Sequence, residues 1–383
     1  MISRLPEPQP SRWTKVKDAL VLPGILGFAR CGAVSTKTTS PPAQTMIGRR
    51  VVVTGATSGI GLAACRQLAG LGASVILVAR NQNKADTVCE EIRKFWASQV
   101  PPVTSVSLHV ELCDMSLIRE VAQLAKRLGP VDVLINNCGV LVPKGEPKAF
   151  TEGEGVEMTL ATNLLSHYVL TNLITFRPAA STPSPLSTTT LPAATTPPAS
   201  PDLPAQQRPR VVNVSSGGMY STKLFPKDLS YNSPKEFDGV DAYARTKRAQ
   251  VVLTDLWAEV LFSKCGAAVH CMHPGWVDTP GVEYSLPGFY KWTRRFSMLR
   301  SPDEGADTIT WLASSDEVGP RATSGGFWRD RLPHPKHMSS NTTADDTVAD
   351  RRMLWNNLAD AAESVLAGAP EGDELREIRF QRL

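Results

Sequence analysis

The segment Val51-Val-Val-Thr54-Gly55-Ala-Thr-Ser58-Gly59-Ile60-Gly61 restricts what this chain can become more than any other. Its β-branched opening suits a strand, and the residues after Gly59 suit a helix. Glycines at 55, 59 and 61 let the backbone turn tightly between the two. Such a turn also lets a pyrophosphate approach the backbone closely, with the helix N-terminus facing its charge. The spacing differs from the commoner GxGxxG, so a purely structural βα turn is the competing reading.

The rest of the chain repeats this alternation. Strand candidates are Val51–Thr54, Val75–Ala79, Val106–Val110, Val131–Asn136, Val211–Val214 and Ala267–Met272, with a seventh near Gly326–Trp328. Amphipathic stretches lie between them near 60–70, 83–97, 116–128, 154–176 and 243–263, and a last helix is expected over about 344–366. Continuous Val/Ile/Leu runs flanked by helices predict a doubly wound α/β domain. It has a parallel sheet of about seven strands buried on both faces. The predicted division is an N-terminal extension (1–47), a catalytic domain (48–335) and a tail with one helix (336–383). Residues 178–207 break the pattern. They are rich in Pro, Ser and Thr, cannot supply a core, and are expected to form a disordered insertion. Whether that insertion is a tolerated surface loop or a binding segment stays open. Arg177-Pro178 could also shorten the helix before it.

A net charge of +4 over 383 residues gives no reason to expect a nucleic-acid partner. Seven scattered cysteines without metal-ligand spacing fit an intracellular protein with reduced thiols and no metal. No apolar run is long enough to span a membrane. The first 45 or so residues are basic and rich in Ser, Thr and Pro. They read either as a mitochondrial or plastid transit segment or as an extension packed on the domain, so a cytoplasmic and an organellar location both stay open.

Other candidate residues cluster at strand ends, where ligands bind in such sheets. Arg80, closing the second strand, suits a ribose 2′-phosphate better than a 2′-hydroxyl, which favours NADP over NAD, unless it is simply solvated. Asp114 could accept a bond from an adenine amine, or cap the next helix. Asn136-Asn137-Cys-Gly139 alone is an ordinary turn. Tyr243 and Lys247 are four residues apart and so stack on one helix face. A nearby ammonium favours the phenolate, which predicts a lowered tyrosine pKa. The apolar stripe Ala249, Val252, Leu253, Leu256, Trp257, Val260 and Leu261 lies beside the pair, which can therefore face a cleft.

Taken together, TGATSGIG, NNCG, Val211-Val-Asn-Val-Ser-Ser216, YARTK and His273-Pro274-Gly275 followed by Thr279 resemble the short-chain dehydrogenase/reductase superfamily. The Val-Ala-Arg-Asn ending and the C-terminal Leu-Trp helix resemble its retinol-dehydrogenase-like branches. The resemblance implies a Rossmann fold and a tetrad of Asn163, Ser216, Tyr243 and Lys247. Tyr243 would be the general acid or base, and Ser216 would bond the substrate oxygen. Lys247 would bind the nicotinamide ribose, and Asn163 would hold a relay water unless it is only a buried helix asparagine. Gly55, Ser58, Gly59, Ile60, Gly61, Arg80, Asp114, Asn137, Tyr243, Lys247, Pro274, Gly275 and Thr279 would line the cofactor. Cys138 departs from the usual alanine. The aromatic segment after Thr279 (Tyr284, Phe289, Tyr290, Trp292, Phe296) suggests an apolar small-molecule substrate, or a lid packed on the domain. With Lys291, Arg294 and Arg295 it could also touch a membrane surface. The superfamily often pairs through the helix that carries the tyrosine, so a homodimer stays open. The alternative to an NADP-dependent carbonyl/alcohol oxidoreductase is a cofactor-binding regulatory or scaffold protein with little catalysis.

Overall fold

The structure is a computed structural model that describes residues 28–30, 45–100, 103, 105–177, 208–233, 236–338, 340–343 and 346–383. The insertion predicted over 178–207, and the stretch Trp13 to Gly27 of the extension, lie outside the described residues.

β1 (Arg50–Thr54) turns into α1 (Gly59–Gly70), followed by β2 (Ser74–Ala79), α2 (Gln82–Ala97), β3 (Ser107–Leu112) and α3 (Ile118–Arg127). β4 (Val133–Asn136) leads into α4, which runs Met158–Leu160, passes through a π turn at Ala161–Leu165 and continues over Ser166–Leu173. β5 (Arg210–Val214), α5 (Gly239–Cys265) and β6 (Ala268–Met272) follow. Two short helices, α6 (Pro280–Ser285) and α7 (Pro287–Arg295), precede α8 (Pro302–Ser314). β7 (Phe327–Arg329), β8 (Leu332–Pro333) and α9 (Val348–Ala367) end the fold.

The eight-stranded sheet has the order β3-β2-β1-β4-β5-β6-β7-β8. All pairs are parallel except β7–β8. The valine runs explain the layering. Successive side chains point to opposite faces, so Val52, Leu134 and Val211 enter one core while Val51, Val53, Ile135 and Val212 enter the other. The first core is closed by α3, α4, α5 and α9, and the second by α1, α2 and α8. Strand order reverses between β1 and β4, which opens a crevice beyond their carboxyl ends.

Sequence reading and structure differ in a few places. The eighth strand went unpredicted. It spans two residues and pairs back on β7 through Asp330 and Arg331, both at positive φ. β3 is the sheet edge and is half exposed, not buried on both faces. Helix α3 is capped by Glu154, whose carboxylate accepts from Ile118 N (2.7 Å) and Arg119 N (2.9 Å). Asp114 therefore does not serve as its cap. Helix α4 stops at Leu173, before Arg177-Pro178, and Phe176 then bridges to Val131 in parallel register. Part of the N-terminal extension does pack on the domain. Phe28 and Ala29 are buried, the Phe28 carbonyl accepts from Trp276 N (2.7 Å), and Arg30 N donates to the Met298 carbonyl (2.9 Å). Among the described residues no helix is long and apolar enough to cross a membrane, and no group of His, Cys, Asp and Glu could hold a metal ion.

Candidate active site

The Gly-rich turn is shaped by close backbone approach. Gly55 and Gly59 have φ of +65° and +52°, where a side chain is strained. A Cβ at Gly61 would lie 2.3 Å from the Gly55 carbonyl oxygen, and one at Gly59 would lie 3.0 Å from Thr279 Cγ2. The turn thus packs against Thr279, which also caps α6 through Val282 N (3.3 Å). Asn137 supports the turn from beneath. Its Nδ2 donates to the Thr54 carbonyl (2.9 Å), and its backbone N–H donates to Thr54 Oγ1 (3.0 Å). At the neighbouring strand ends, Arg80 Nη1 lies 3.7 Å from Asp114 Oδ2, and the Arg80 side chain is 74% exposed. Asp114 Oδ1 is occupied by Ser116 N (2.9 Å) and Ser116 Oγ (2.8 Å).

Ser216, Tyr243 and Lys247 meet between β5 and α5. Ser216 lies beside the Tyr243 hydroxyl, and its Oγ accepts from Gly218 N (3.2 Å). Lys247 Nζ sits 5.5 Å from the Tyr243 ring centre and donates to the Val214 carbonyl (2.9 Å). The expected direction of the tyrosine pKa is reversed. Burial raises it above its ordinary 10.0, and the nearby Ser216 hydroxyl offsets only part of this. Burial also lowers the Lys247 ammonium from 10.5 to about 8. Charge proximity is the smaller influence because the pair is desolvated.

Asn163 lies in the π turn of α4. Its Nδ2 donates to the Val140 carbonyl (2.9 Å) and to Thr246 Oγ1 (3.2 Å), while its Oδ1 accepts from Val140 N (2.7 Å). A Cβ at Gly139 would lie 3.3 Å from Asn163 Oδ1 and 3.4 Å from Lys247 Nζ, so both converge on Gly139. Asn163 thus lies beside the lysine.

Several residues of the site carried no local signal. Gln250 Nε2 donates to the Asn163 carbonyl (2.6 Å) and faces His167 Nδ1 (2.8 Å). Arg300 lies beneath Gly275, whose φ is +83° and whose Cβ would sit 2.3 Å from Arg300 Nε. Its guanidinium reaches the Pro274 carbonyl (3.3 Å), the Ala29 carbonyl (3.2 Å) and Asp330. Of the aromatic segment, Tyr290 is buried and bonded to Asp278 (2.8 Å), and Phe289 packs edge-on to Trp276. Tyr284, Trp292 and Phe296 are exposed.

The outer face of α5 is covered by the chain itself. Trp257 and Tyr168 pack against Trp355 of α9, and Tyr168 also meets Phe380. Buried Arg248 bonds Asp346 (3.1 Å), which pairs with Arg351 (2.6 Å). Arg351 and Lys336 both reach Asp255, at 3.0 and 2.6 Å.

A doubly wound sheet with this turn and this Ser-Tyr-Lys cluster defines an oxidoreductase with a Rossmann-type NAD(P)-binding fold. The profile of the short chain dehydrogenase family matches residues 49–177. Dehydrogenase/reductase SDR family member 12 of Bos taurus is 37% identical over 315 residues, covering 80% of this chain and 84% of the relative. Retinol dehydrogenase 13 of Mus musculus is 29% identical, covering 83% and 85%. The crystal structure of an uncharacterised protein from Mycobacterium paratuberculosis shares the fold, with a TM-score of 0.58 and 23% identity over 85% of this chain and 97% of that one. The chain belongs to the short-chain dehydrogenase/reductase family.

Proposed function

We propose that this protein uses NADP(H) to interconvert a carbonyl and an alcohol on an apolar small molecule, with Tyr243 as the general acid or base. The observation that carries this reading is the convergence of the Ser216 hydroxyl, the half-buried Tyr243 and Lys247, one helical turn from the tyrosine, between β5 and α5. The residues fit a dinucleotide. Gly55, Gly59 and Gly61 leave the backbone bare where a Cβ would collide, and the α1 N-terminus follows directly. Ser58 and Ile60 lie within the same turn, and Pro274, Gly275 and Thr279 would hold the nicotinamide end.

The cofactor, when bound, gives or takes the hydride at the substrate carbon. In reduction Tyr243 Oη protonates the substrate oxygen, and in oxidation it takes that proton back. Ser216 Oγ donates to the same oxygen and stabilises charge developing there. Lys247 uses one of its N–H donors on Val214, which leaves others for the ribose hydroxyls. Asn163 braces the α4–α5 junction beside it. Arg80 supports NADP over NAD, because it offers an exposed guanidinium at the end of β2 to a 2′-phosphate. The exposed Tyr284 and Trp292, together with retinol-type relatives, support an apolar substrate. With Lys291, Arg294 and Arg295 they also suit peripheral contact with an anionic lipid surface. The cover of α9 over α5 speaks against a homodimer through that face. Asn163 beside Lys247 favours the enzyme over a non-catalytic scaffold.

The test is turnover of a panel of apolar ketones and aldehydes with NADPH. Tyr243→Phe is expected to lose about 100- to 10,000-fold in kcat while NADPH fluorescence titration stays within about twofold of the unsubstituted protein. Undiminished turnover in the variant would discard the mechanism.

A further inference from the structure

His273 directly follows β6 and is buried. Its Nδ1 accepts two backbone N–H groups, one from Gly217 at 3.1 Å and one from Gly275 at 3.3 Å. Gly217 directly follows Ser216, and Gly275 forms the turn after Pro274. One ring nitrogen therefore holds two loops that leave adjacent strands, β5 and β6. Accepting both bonds requires the neutral ring with its proton on Nε2. The surroundings enforce this state: burial, then Arg329, Arg300 and His334, hold the imidazole well below its ordinary pKa of 6.5. Asp330 answers the Arg300 charge from the β7–β8 turn. Nε2 has no hydrogen-bond partner among the described residues. The ring instead packs edge-on to Phe28, 4.5 Å between centres, and Phe28 also lies against Gly217. The two Nδ1 contacts are therefore the ring's only hydrogen bonds among the described residues.

We infer that His273 is a positioning residue that ties the Ser216 loop to the Pro274–Gly275 turn and so fixes the substrate-oxygen site relative to the nicotinamide site. This rests on the cofactor placement proposed above. Two substitutions separate the tie from packing. Asn places Oδ1 where Nδ1 stood and can accept the same bonds. Leu places a methyl there and removes the acceptor of both half-buried N–H groups.

Binding is measured with NADPH and with 2′-phospho-ADP-ribose, which lacks the nicotinamide end. His273→Leu is expected to weaken NADPH about tenfold or more and the fragment by less than about twofold, while His273→Asn stays within about threefold on both. Equal loss of both ligands, loss of neither, or failure of Asn alongside Leu would each overturn the inference. Amide hydrogen exchange in the cofactor-free protein reads the tie without any ligand. Segments 216–220 and 274–279 should exchange faster together in His273→Leu and remain protected in His273→Asn. Unchanged exchange in the Leu variant overturns the tie. Failure of the unsubstituted protein to bind NADPH would instead overturn the proposed function, and the exchange result would still decide whether His273 holds the loops.

Discussion

Lys247 and Arg248 are neighbours on α5, both buried, and they are buried on opposite terms. Lys247 turns towards β5 and the cleft. Its Nζ meets the Val214 carbonyl and the Tyr243 ring, and among the described residues no carboxylate comes within ion-pair distance. Arg248 turns towards the C-terminal segment, where Asp346 answers its charge, with Arg351, Asp255 and Lys336 extending the network. Asp346 sits well below the ordinary carboxylate range: burial opposes this, but hydrogen bonds from His337 and Arg351 and two guanidinium charges outweigh it. An uncompensated buried cation is hard to justify by stability. A compensated one beside it shows that the fold can supply carboxylates where it needs them. The difference fits the proposed use of one face of the helix for chemistry, while the other holds α9 in place.

Substitution by methionine should separate the two faces. Lys247→Met is expected to lower turnover by about 100- to 10,000-fold, as for removal of a group in the proton-transfer machinery. Cofactor-free protein carrying it should unfold in urea at no lower concentration than the unsubstituted chain, because a desolvated charge has gone. Arg248→Met should do the reverse. It leaves Asp346 with less than its full set of cations, at a cost of about 3 kcal/mol. Turnover per folded molecule should change little. Asp346→Asn added to Arg248→Met should recover part of that loss, since the two act as one unit. Equal stability losses for the two methionine variants would erase the distinction between the faces.

The sequence made this helix legible in its period and its motif, but not in its charges. The strand positions, the Gly-rich turn and the Tyr243–Lys247 spacing are local patterns, and they lie where the pattern placed them. The pairs Arg248–Asp346 and Asp255–Lys336 join residues 98 and 81 positions apart, so no local periodicity announces them. His273 was visible as part of a motif, yet its two acceptor contacts depend on loops from separate strands. Glu154 caps α3 from 36 residues away and displaced the nearer Asp114. The tyrosine pKa went the wrong way for the same reason. Spacing reveals a neighbouring charge, whereas desolvation depends on what the whole fold packs around it.

The pH dependence of stability is the most direct measure of how dry the Lys247 face is. Burial brings the Lys247 ammonium from 10.5 to about 8. Below pH 8 it is protonated in both folded and unfolded chains, and the cost of burying the charge is fully present. Between about 8 and 10.5 the folded chain has released the proton while the unfolded chain still holds it. The unfolded state then binds more protons, so stability rises with pH through this window. The full span corresponds to a change on the order of 3 kcal/mol in cofactor-free protein. Urea unfolding of the unsubstituted chain and of Lys247→Met, compared at steps from pH 7 to pH 10, cancels every other titrating group. The advantage of the methionine variant should shrink steadily above pH 8. A gap that stays constant would mean that water reaches Nζ and that the lysine is no more costly than a surface one. Arg248→Met provides the contrast: burial lowers that guanidinium from a much higher starting point and Asp346 opposes the shift, so its stability gap should move less over this range.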